Sequence, residues 1–410
     1  MFTARLSGMF VRRACSAAAA VAAGSGLALH MTIDAPTPAQ KPALCAGAAP
    51  PGLGPGDQLV MSGDCGGTNT RLELFRVPAN AQLVLGDKPP GERLFNKTYQ
   101  NHQFASFQAV VETFLAEAPA TAGGARPAAC CLACAGGIVD NTVTFTNVEK
   151  GWSIDGAALA RATGIPRVQL INDFEAQGYG LLTLRAGEKL QLNTAAPRPG
   201  SPIACVGAGT GLGECFLTST KGEYTCFPSE GGHVEFAPRD ELAADLLKFL
   251  KRKFEQNHRV SVERVISGPG LGNVYEFLRQ HWAYADRRDP DLDSAFLSAP
   301  EHAKGALVAK GAARGDVLCA KAVHIFSESY GSEVGCVALK FLPYGGLYIS
   351  GGIAAKNPQW VTGEAFSYAY KDKGRMSPLL DKVPLYLVTV EDTGERGALY
   401  KAIALLTEAV

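Results

Sequence analysis

Residues Leu59–Phe75 read LVMSGDCGGTNTRLELF, and the fold turns on how this stretch is built. An apolar run, Leu59-Val60-Met61, leads through Gly63-Asp64 to Gly66-Gly67-Thr68-Asn69. Beyond the turn, Leu72 and Leu74 alternate with Arg71 and Glu73. A period of two belongs to a strand, so the unit reads as strand, Gly-rich turn, strand. Glycines let backbone N–H groups converge on an anion. Asp64 stands beside that turn, and a carboxylate repels a phosphate unless a cation lies between them. The stretch is therefore either an ordinary hairpin with a flexible turn or a phosphate seat served by Mg²⁺.

The same pattern returns further along. Ile203–Val206 is an apolar strand, GAGTGLG (207–213) is a second Gly-rich turn, and Cys215–Thr218 is a returning strand. The repetition predicts an internal duplication, with two half-molecules offering hairpins to each other across a cleft. The second turn misses the G-x-G-x-x-G spacing because its third Gly falls one place late. A strand also follows it, where a dinucleotide site needs a helix. Neither turn has the G-x-x-x-x-G-K-[ST] spacing of a P-loop. Thr68, Asn69 and Thr210 would add side-chain donors to the paired turns. Ser350-Gly351-Gly352 is a third backbone-exposing turn, suited either to a base or ribose or to ordinary packing.

The rest of the chain reads as alternating elements. Phe104, Phe107, Val110, Val111, Phe114 and Leu115 follow helical spacing. AACCLACA (128–135) suits a buried strand, and Val143–Phe145 a short one. Val168–Ile171 is a strand ending at Asn172-Asp173, with a helix over Phe174–Leu182. Helices are predicted at Asp240–Phe254, Pro269–Trp282 and Val317–Phe341, the last interrupted near Gly331 or Gly335. Ala283–Pro300 is polar, holds two prolines and reads as a loop. Strands at Leu347–Ile349 and Val383–Val390 and a helix at Thr393–Leu406 complete a mixed α/β pattern.

Lys+Arg equals Asp+Glu at 39 each, so no global charge points to nucleic acid or a membrane surface. Apolar content of 47% with 19% charged residues suits a globular enzyme. The 11 cysteines are odd in number and scattered, which favours reduced thiols over a disulfide scaffold. Cys131 and Cys134 form a C-x-x-C with no second pair at zinc spacing, and read as buried thiols. Residues 1–56 carry Arg5, Arg12 and Arg13, no acid before Asp34, then an Ala-rich run and a Pro/Ala/Gly segment. This is an extension outside the fold: a transit peptide, a secretory signal or an unprocessed tail. No apolar run elsewhere is long enough to span a membrane.

Three further places offer chemistry. Asn172-Asp173 closes a strand, where ligands of α/β sheets collect, so Asp173 is either a general base or a helix cap. In PSEGGH (228–233), glycines let Glu230 and His233 turn into one cavity, a donor and acceptor set that suits a polyol better than a metal. Glu263 precedes the turn Ser267–Gly270 and, taken alone, suits a helix surface.

In order, GDCGGTNTRLEL (63–74), LINDFEAQGYG (170–180), VGAGTGLG (206–213), PSEGGHVEFAP (228–238), VERVISGPGL (262–271) and YISGGI (348–353) resemble the bacterial-type glucokinase family of the actin/hexokinase-like ATPase superfamily. The resemblance covers residues 58–410. It implies an α/β protein of two RNase H-like domains with an interdomain active-site cleft: a small domain over 57–183, completed by 391–410, and a large one over 184–390. It implies ATP-dependent phosphorylation of D-glucose at the 6-hydroxyl. Asp173 matches the family's catalytic base. Asn147, Asn172, Glu230, His233 and Glu263 match its sugar ligands. Gly66, Gly67, Thr68 and Asn69 match its first phosphate turn, and Gly209, Thr210 and Gly211 its second. Gly351 and Gly352 are read as further nucleotide contacts, and Asp64 matches the Mg²⁺-associated carboxylate. The zinc-binding cysteine run of the related ROK kinases is missing, so no zinc is expected. A homodimer in the cytosol is expected, or in a plastid or mitochondrion if residues 1–56 are a transit peptide, with no nucleic-acid or membrane partner. The rival readings are a kinase for mannose or fructose, a non-catalytic sugar sensor, and an actin-like ATPase without a sugar. The polar set around Asn172 and Glu230 counts against the last.

Overall fold

The structure, a computed structural model, describes residues 53–121, 124–145, 151–256 and 258–407. Asn147 and the targeting reading of residues 1–52 lie outside the described residues.

The opening stretch forms the predicted hairpin. Strand β1 (Gln58–Cys65) runs antiparallel to β2 (Asn69–Val77), with Asp64 opposite Arg71 and Gly63 opposite Leu72. Leu72 and Leu74 are buried, but Glu73 is buried with them, where it accepts from Arg93 at 2.9 Å. β3 (Glu92–Gln100) adds to the far side of β2. Helix α1 (Phe107–Glu117) starts where Ser106 Oγ accepts a hydrogen bond from Ala109 N–H at 3.2 Å. β4 (Ala129–Cys134), apolar on both faces, lies parallel to β1 and is wholly buried. A separate ribbon of β5 (Thr142–Thr144) and β6 (Ser153–Asp155) precedes α2 (Gly156–Thr163), β7 (Val168–Asn172) and α3 (Asp173–Leu181). The first sheet has the order β3-β2-β1-β4-β7.

The second sheet repeats that plan. β8 (Lys189–Gln191) forms its edge. β9 (Ile203–Ala208), β10 (Leu212–Thr220) and β11 (Glu223–Ser229) form an antiparallel meander. A helical stretch comes next: α4 (Glu241–Lys253), α5 (Gly268–Leu278), α6 (Pro290–Ser298), α7 (Glu301–Ala313) and α8 (Val317–Phe341). Then come β12 (Gly346–Ser350), α9 (Gly352–Lys356), α10 (Gln359–Thr362), α11 (Glu364–Lys371), α12 (Ser377–Leu380), β13 (Leu385–Val388) and α13 (Thr393–Ala404). The order is β11-β10-β9-β12-β13-β8. Leaving out β8, each sheet runs third-second-first-fourth-fifth, with the first three strands antiparallel and the rest parallel. The duplication read from the two Gly turns extends to both sheets.

Two sequence expectations fail. The expected loop over Ala283–Pro300 contains α6. Asp289 Oδ1 accepts from Leu292 N–H at 2.8 Å, and Pro290 takes a first-turn position whose N–H needs no partner, so the residues counted as breakers start a helix. The expected interruption of α8 near Gly331 or Gly335 is absent, since the helix runs unbroken. Those glycines serve packing instead. A Cβ at Gly331 would lie 2.2 Å from the Phe366 carbonyl oxygen, and one at Gly335 2.5 Å from that of Tyr370, both on α11.

α3 and α13 lie between the sheets. One apolar cluster joins Val60, Cys131 and Ile171 of the first sheet to Cys205, Cys215 and Tyr348 of the second, through Ala176, Tyr179, Ala398 and Ala402 of the two helices. The helices touch backbone to backbone. A Cβ at Gly397 would stand 1.7 Å from the Ala176 oxygen, and one at Gly180 1.9 Å from that of Thr393. Buried Arg396 fixes the start of α13, donating to both oxygens of Glu188 at 2.7 and 2.8 Å and to Asp392 at 2.9 Å. The cysteines among the described residues are all free, as their scatter predicts. Among the described residues, no helix is long and apolar enough to cross a membrane.

Candidate active site

The first Gly turn is held from outside the hairpin. Gly66 N–H donates to the Asn69 carbonyl at 3.0 Å. Buried Asn101 then clamps the turn: its Nδ2 donates to the carbonyls of Gly66 (2.8 Å) and Gly67 (3.1 Å), and its Oδ1 accepts from Thr70 Oγ1 at 2.9 Å. With these carbonyls occupied by Asn101, Thr68 and Asn69 stay exposed at the tip.

In the second turn the glycines divide by what a side chain there would strike. At Gly207 and Gly213 a Cβ would run into the Phe174 ring, and at Gly211 into the Glu263 carboxylate at 2.7 Å. At Gly209 it would meet nothing within 4 Å, so that peptide borders open space. The loop is pinned by Gly209 N–H to Gly211 O and Gly268 N–H to Gly209 O, both at 2.8 Å. Glu263 Oε2 accepts from Leu212 N–H at 2.9 Å, which ties it to this turn rather than to a helix surface. Gly351, at φ +88°, lies where a Cβ would be 2.5 Å from the Ala208 oxygen, a packing requirement; Gly352 is open apart from Lys356.

β7 delivers the acceptor side. Asn172 caps α3, with Oδ1 accepting from Phe174 N–H at 2.8 Å and Glu175 N–H at 3.4 Å, and its Nδ2 donates to Gly136 O at 3.0 Å. The cap is therefore Asn172, which releases its neighbour Asp173 from that duty. Asp173 accepts one short-range bond, from Phe174 N–H at 2.8 Å. Its tip reaches solvent, yet the surrounding walls strip hydration and raise its pKa above the ordinary carboxylate range. The Phe174 N–H opposes this, while Asp64 and Glu230 add repulsion. Asp64 is raised by the same desolvation, with Arg71 opposing. Asp64 and Asp173 share a cavity of about 230 Å³ with Phe174, Gln177, Glu391 and Glu395. Glu395 of α13 contacts Arg71 of β2.

Glu230 precedes and His233 ends a single 3₁₀ turn, Gly231–His233, both side chains exposed, with His233 Nε2 and Glu230 Oε2 3.8 Å apart. The turn presses on β10: a Cβ at Gly231 would lie 1.9 Å from Glu214 Oε2, and one at Gly232 2.0 Å from Leu212 O. Glu214 is buried and its Oε1 has no hydrogen-bond partner. Burial and the nearby Glu333 push its pKa up to about 7, against the pull of Lys340. A carboxyl raised in the folded state stabilises most below its unfolded pKa of about 4.3 and loses that contribution as pH rises through about 7. Glu214→Gln is therefore expected to raise stability by roughly 1–3 kcal/mol at pH 8 and by little at pH 5. Melting curves of both proteins at the two pH values check this, and an equal shift at both would sink it.

Asp64, Asp173 and the neighbourhood of Glu230 are thus brought together, and Glu263 joins the second turn. Asn101, Gln177, Glu391 and Glu395 had no sequence signal. Among the described residues, no group of three or more His, Cys, Asp and Glu is placed to hold a metal by itself. Asp64 suits a hydrated Mg²⁺, which takes one or two carboxylates alongside substrate phosphates.

Comparison with solved structures extends the architecture. A glucokinase from an Antarctic psychrotroph superposes with a TM-score of 0.67 at 27% identity, over 85% of this chain and 99% of that one. A glucokinase of Balamuthia mandrillaris, solved with glucose, shares the fold with a TM-score of 0.67 at 21% identity, over 85% and 94%. The duplicated sheets define a two-domain α/β protein of the actin-like ATPase fold. A family model described as Glucokinase matches residues 61–404. Glucokinases of Nostoc sp. (38% identical over 83% of this chain and 97% of theirs) and Yersinia pestis (34% over 83% and 94%) are similar along nearly their whole length. The chain belongs to the glucokinase family.

Proposed function

We propose that this protein transfers the γ-phosphoryl group of ATP to the 6-hydroxyl of D-glucose, the first step of glycolysis. The observation that carries the reading is the meeting of Asp64 and Asp173 in one cavity, with Asp173 the first residue of α3 and uncommitted to its cap. The names of the relatives from Nostoc sp., Yersinia pestis and the Antarctic psychrotroph, each a glucokinase, support the same reaction.

In this reading Asn172, Glu230, His233 and Glu263 orient the sugar hydroxyls. Gly66–Asn69 and Gly209–Gly211 offer backbone and hydroxyl donors to the phosphates, and Gly352 lies open beside the nucleotide. Phosphoryl transfer passes through a loose transition state, so the protein mainly positions groups and stabilises charge. As the O6–phosphorus bond forms and the bond to the β,γ-bridging oxygen breaks, the 6-hydroxyl proton passes to the Asp173 carboxylate and ADP departs. Mg²⁺, held near Asp64 with the nucleotide, would neutralise charge on the β- and γ-phosphates. The bounds 57–183 with 391–410, and 184–390, are the domains we assign to the two sides of the cleft. The family resemblance also supports a cytosolic homodimer.

The test is ADP release with no sugar, D-glucose, D-mannose or D-fructose. Release that depends on D-glucose is expected. Preference for another hexose would reassign the substrate, sugar-independent release would favour an actin-like ATPase, and glucose binding without release would favour a sensor.

A further inference from the structure

The proposed base follows the last strand of the first sheet, the second Gly turn joins two strands of the second sheet, and one side chain spans them. Phe174 comes directly after Asp173 at the start of α3, and its ring rests on the β9–β10 hairpin. A Cβ at Gly213 would stand 2.0 Å from its Cδ2, and one at Gly207 2.6 Å from its Cζ. These glycines face each other across the two strands. Glycine weakens a strand interior, and two opposite each other mark a place where another group must come close. The other end of Phe174 is fixed as well: its N–H donates to Asn172 Oδ1 and to Asp173 Oδ1, each at 2.8 Å. One residue thus has its amide on the proposed base and its ring on the hairpin that carries Gly209-Thr210-Gly211. The ring also lines the cavity shared by Asp64 and Asp173.

We infer that Phe174 is a positioning residue that sets the Asp173 carboxylate in register with the second Gly turn, so that the acceptor oxygen and the γ-phosphoryl group meet in line. The inference rests on the glucokinase reading. It also gives the GAGTGLG run a divided purpose: Gly207 and Gly213 receive the ring, Gly211 admits Glu263, and Gly209 borders open space.

The experiment measures kcat for glucose-dependent ADP release, and glucose affinity by calorimetry without ATP, in the parent, Phe174→Leu, Gly213→Ala and the double variant. A misplacement of about 1 Å can slow a positioned reaction on the order of 10²-fold, so Phe174→Leu is expected to lose kcat on that scale while keeping its glucose affinity. Gly213→Ala leaves the ring in the protein but pushes it off its platform, and should lose kcat in the same way. The double variant should be little worse than either single one, because both remove one contact. Parental kcat in either single variant would overturn the inference. So would equal losses of kcat and glucose affinity, the mark of a merely structural ring. Should Phe174→Leu fail to fold, Gly213→Ala decides alone. A parent protein that releases no glucose-dependent ADP would instead overturn the glucokinase reading, and the positioning role with it.

Discussion

Asp173→Asn is expected to bind D-glucose as the parent does and to turn over on the order of 10²–10⁴ more slowly, the range for a positioned acid–base group. The substitution keeps the shape and the acceptor for Phe174 N–H but removes the proton-accepting oxygen. Helix capping should survive, because Asn172 supplies it. Steady-state kinetics with calorimetric glucose binding checks the split, and near-parental turnover would remove Asp173 from the reaction. The parent enzyme's pH profile carries a linked expectation. Asp173 must be ionised to accept a proton, and burial with the nearby Asp64 and Glu230 charges raises its pKa. Activity should therefore fall on acidification at a pH above the ordinary aspartate value of about 3.9, and Asp173→Asn should lose that limb.

Gly397→Ala is expected to be the most damaging Gly→Ala change outside the cavity among the described residues. The new Cβ would sit 1.7 Å from the Ala176 carbonyl oxygen, backbone that cannot swing aside. Overpacking of this kind costs roughly 3 kcal/mol at its upper end, and here it wedges apart the helices between the sheets. A melting point lowered by roughly 5–10 °C is expected, at a few degrees per kcal/mol. Gly187→Ala, where a Cβ meets nothing within 4 Å, is the control and should melt with the parent. Equal melting of Gly397→Ala and the parent would show that the helices separate without penalty.

The two hairpins were legible because strand alternation and Gly-rich turns are local signals. The duplication of the sheets was legible because the pattern occurs twice. Asp64 and Asp173 stood out for the same reason, each being an acid beside a turn or strand end. What the sequence hid depends on distant partners. Asn101 lies in the unremarkable segment YQNHQF, and its clamp on Gly66 and Gly67 exists only after β3 has folded back along β2. The glycines of α8 resembled breaks because a sequence does not show the α11 carbonyls they approach. Asp289-Pro290 resembled a loop because capping residues and breakers are the same amino acids, told apart only by whether the next residues can carry a helix. Glu263 changed most: nothing beside it in the chain connects it to Leu212, fifty-one positions earlier.

The seating of α13 between the sheets sets a timetable for biosynthesis. α3 leaves the ribosome long before the helix it must meet, since Ala404 follows Leu181 by 223 positions. At roughly 5–20 residues per second, that gap lasts on the order of 10–45 s. Through this interval the faces of β1, β4 and α3 that α13 covers have no partner, and Ala176 and Gly180 present bare backbone. The first half of the chain can pair its strands and close the cluster on one face of its sheet early, but the face shared with α13 stays open until the second half has been made. A nascent chain stalled before Thr393 would carry that uncovered surface, so the interval before α13 emerges is when this protein most needs a chaperone.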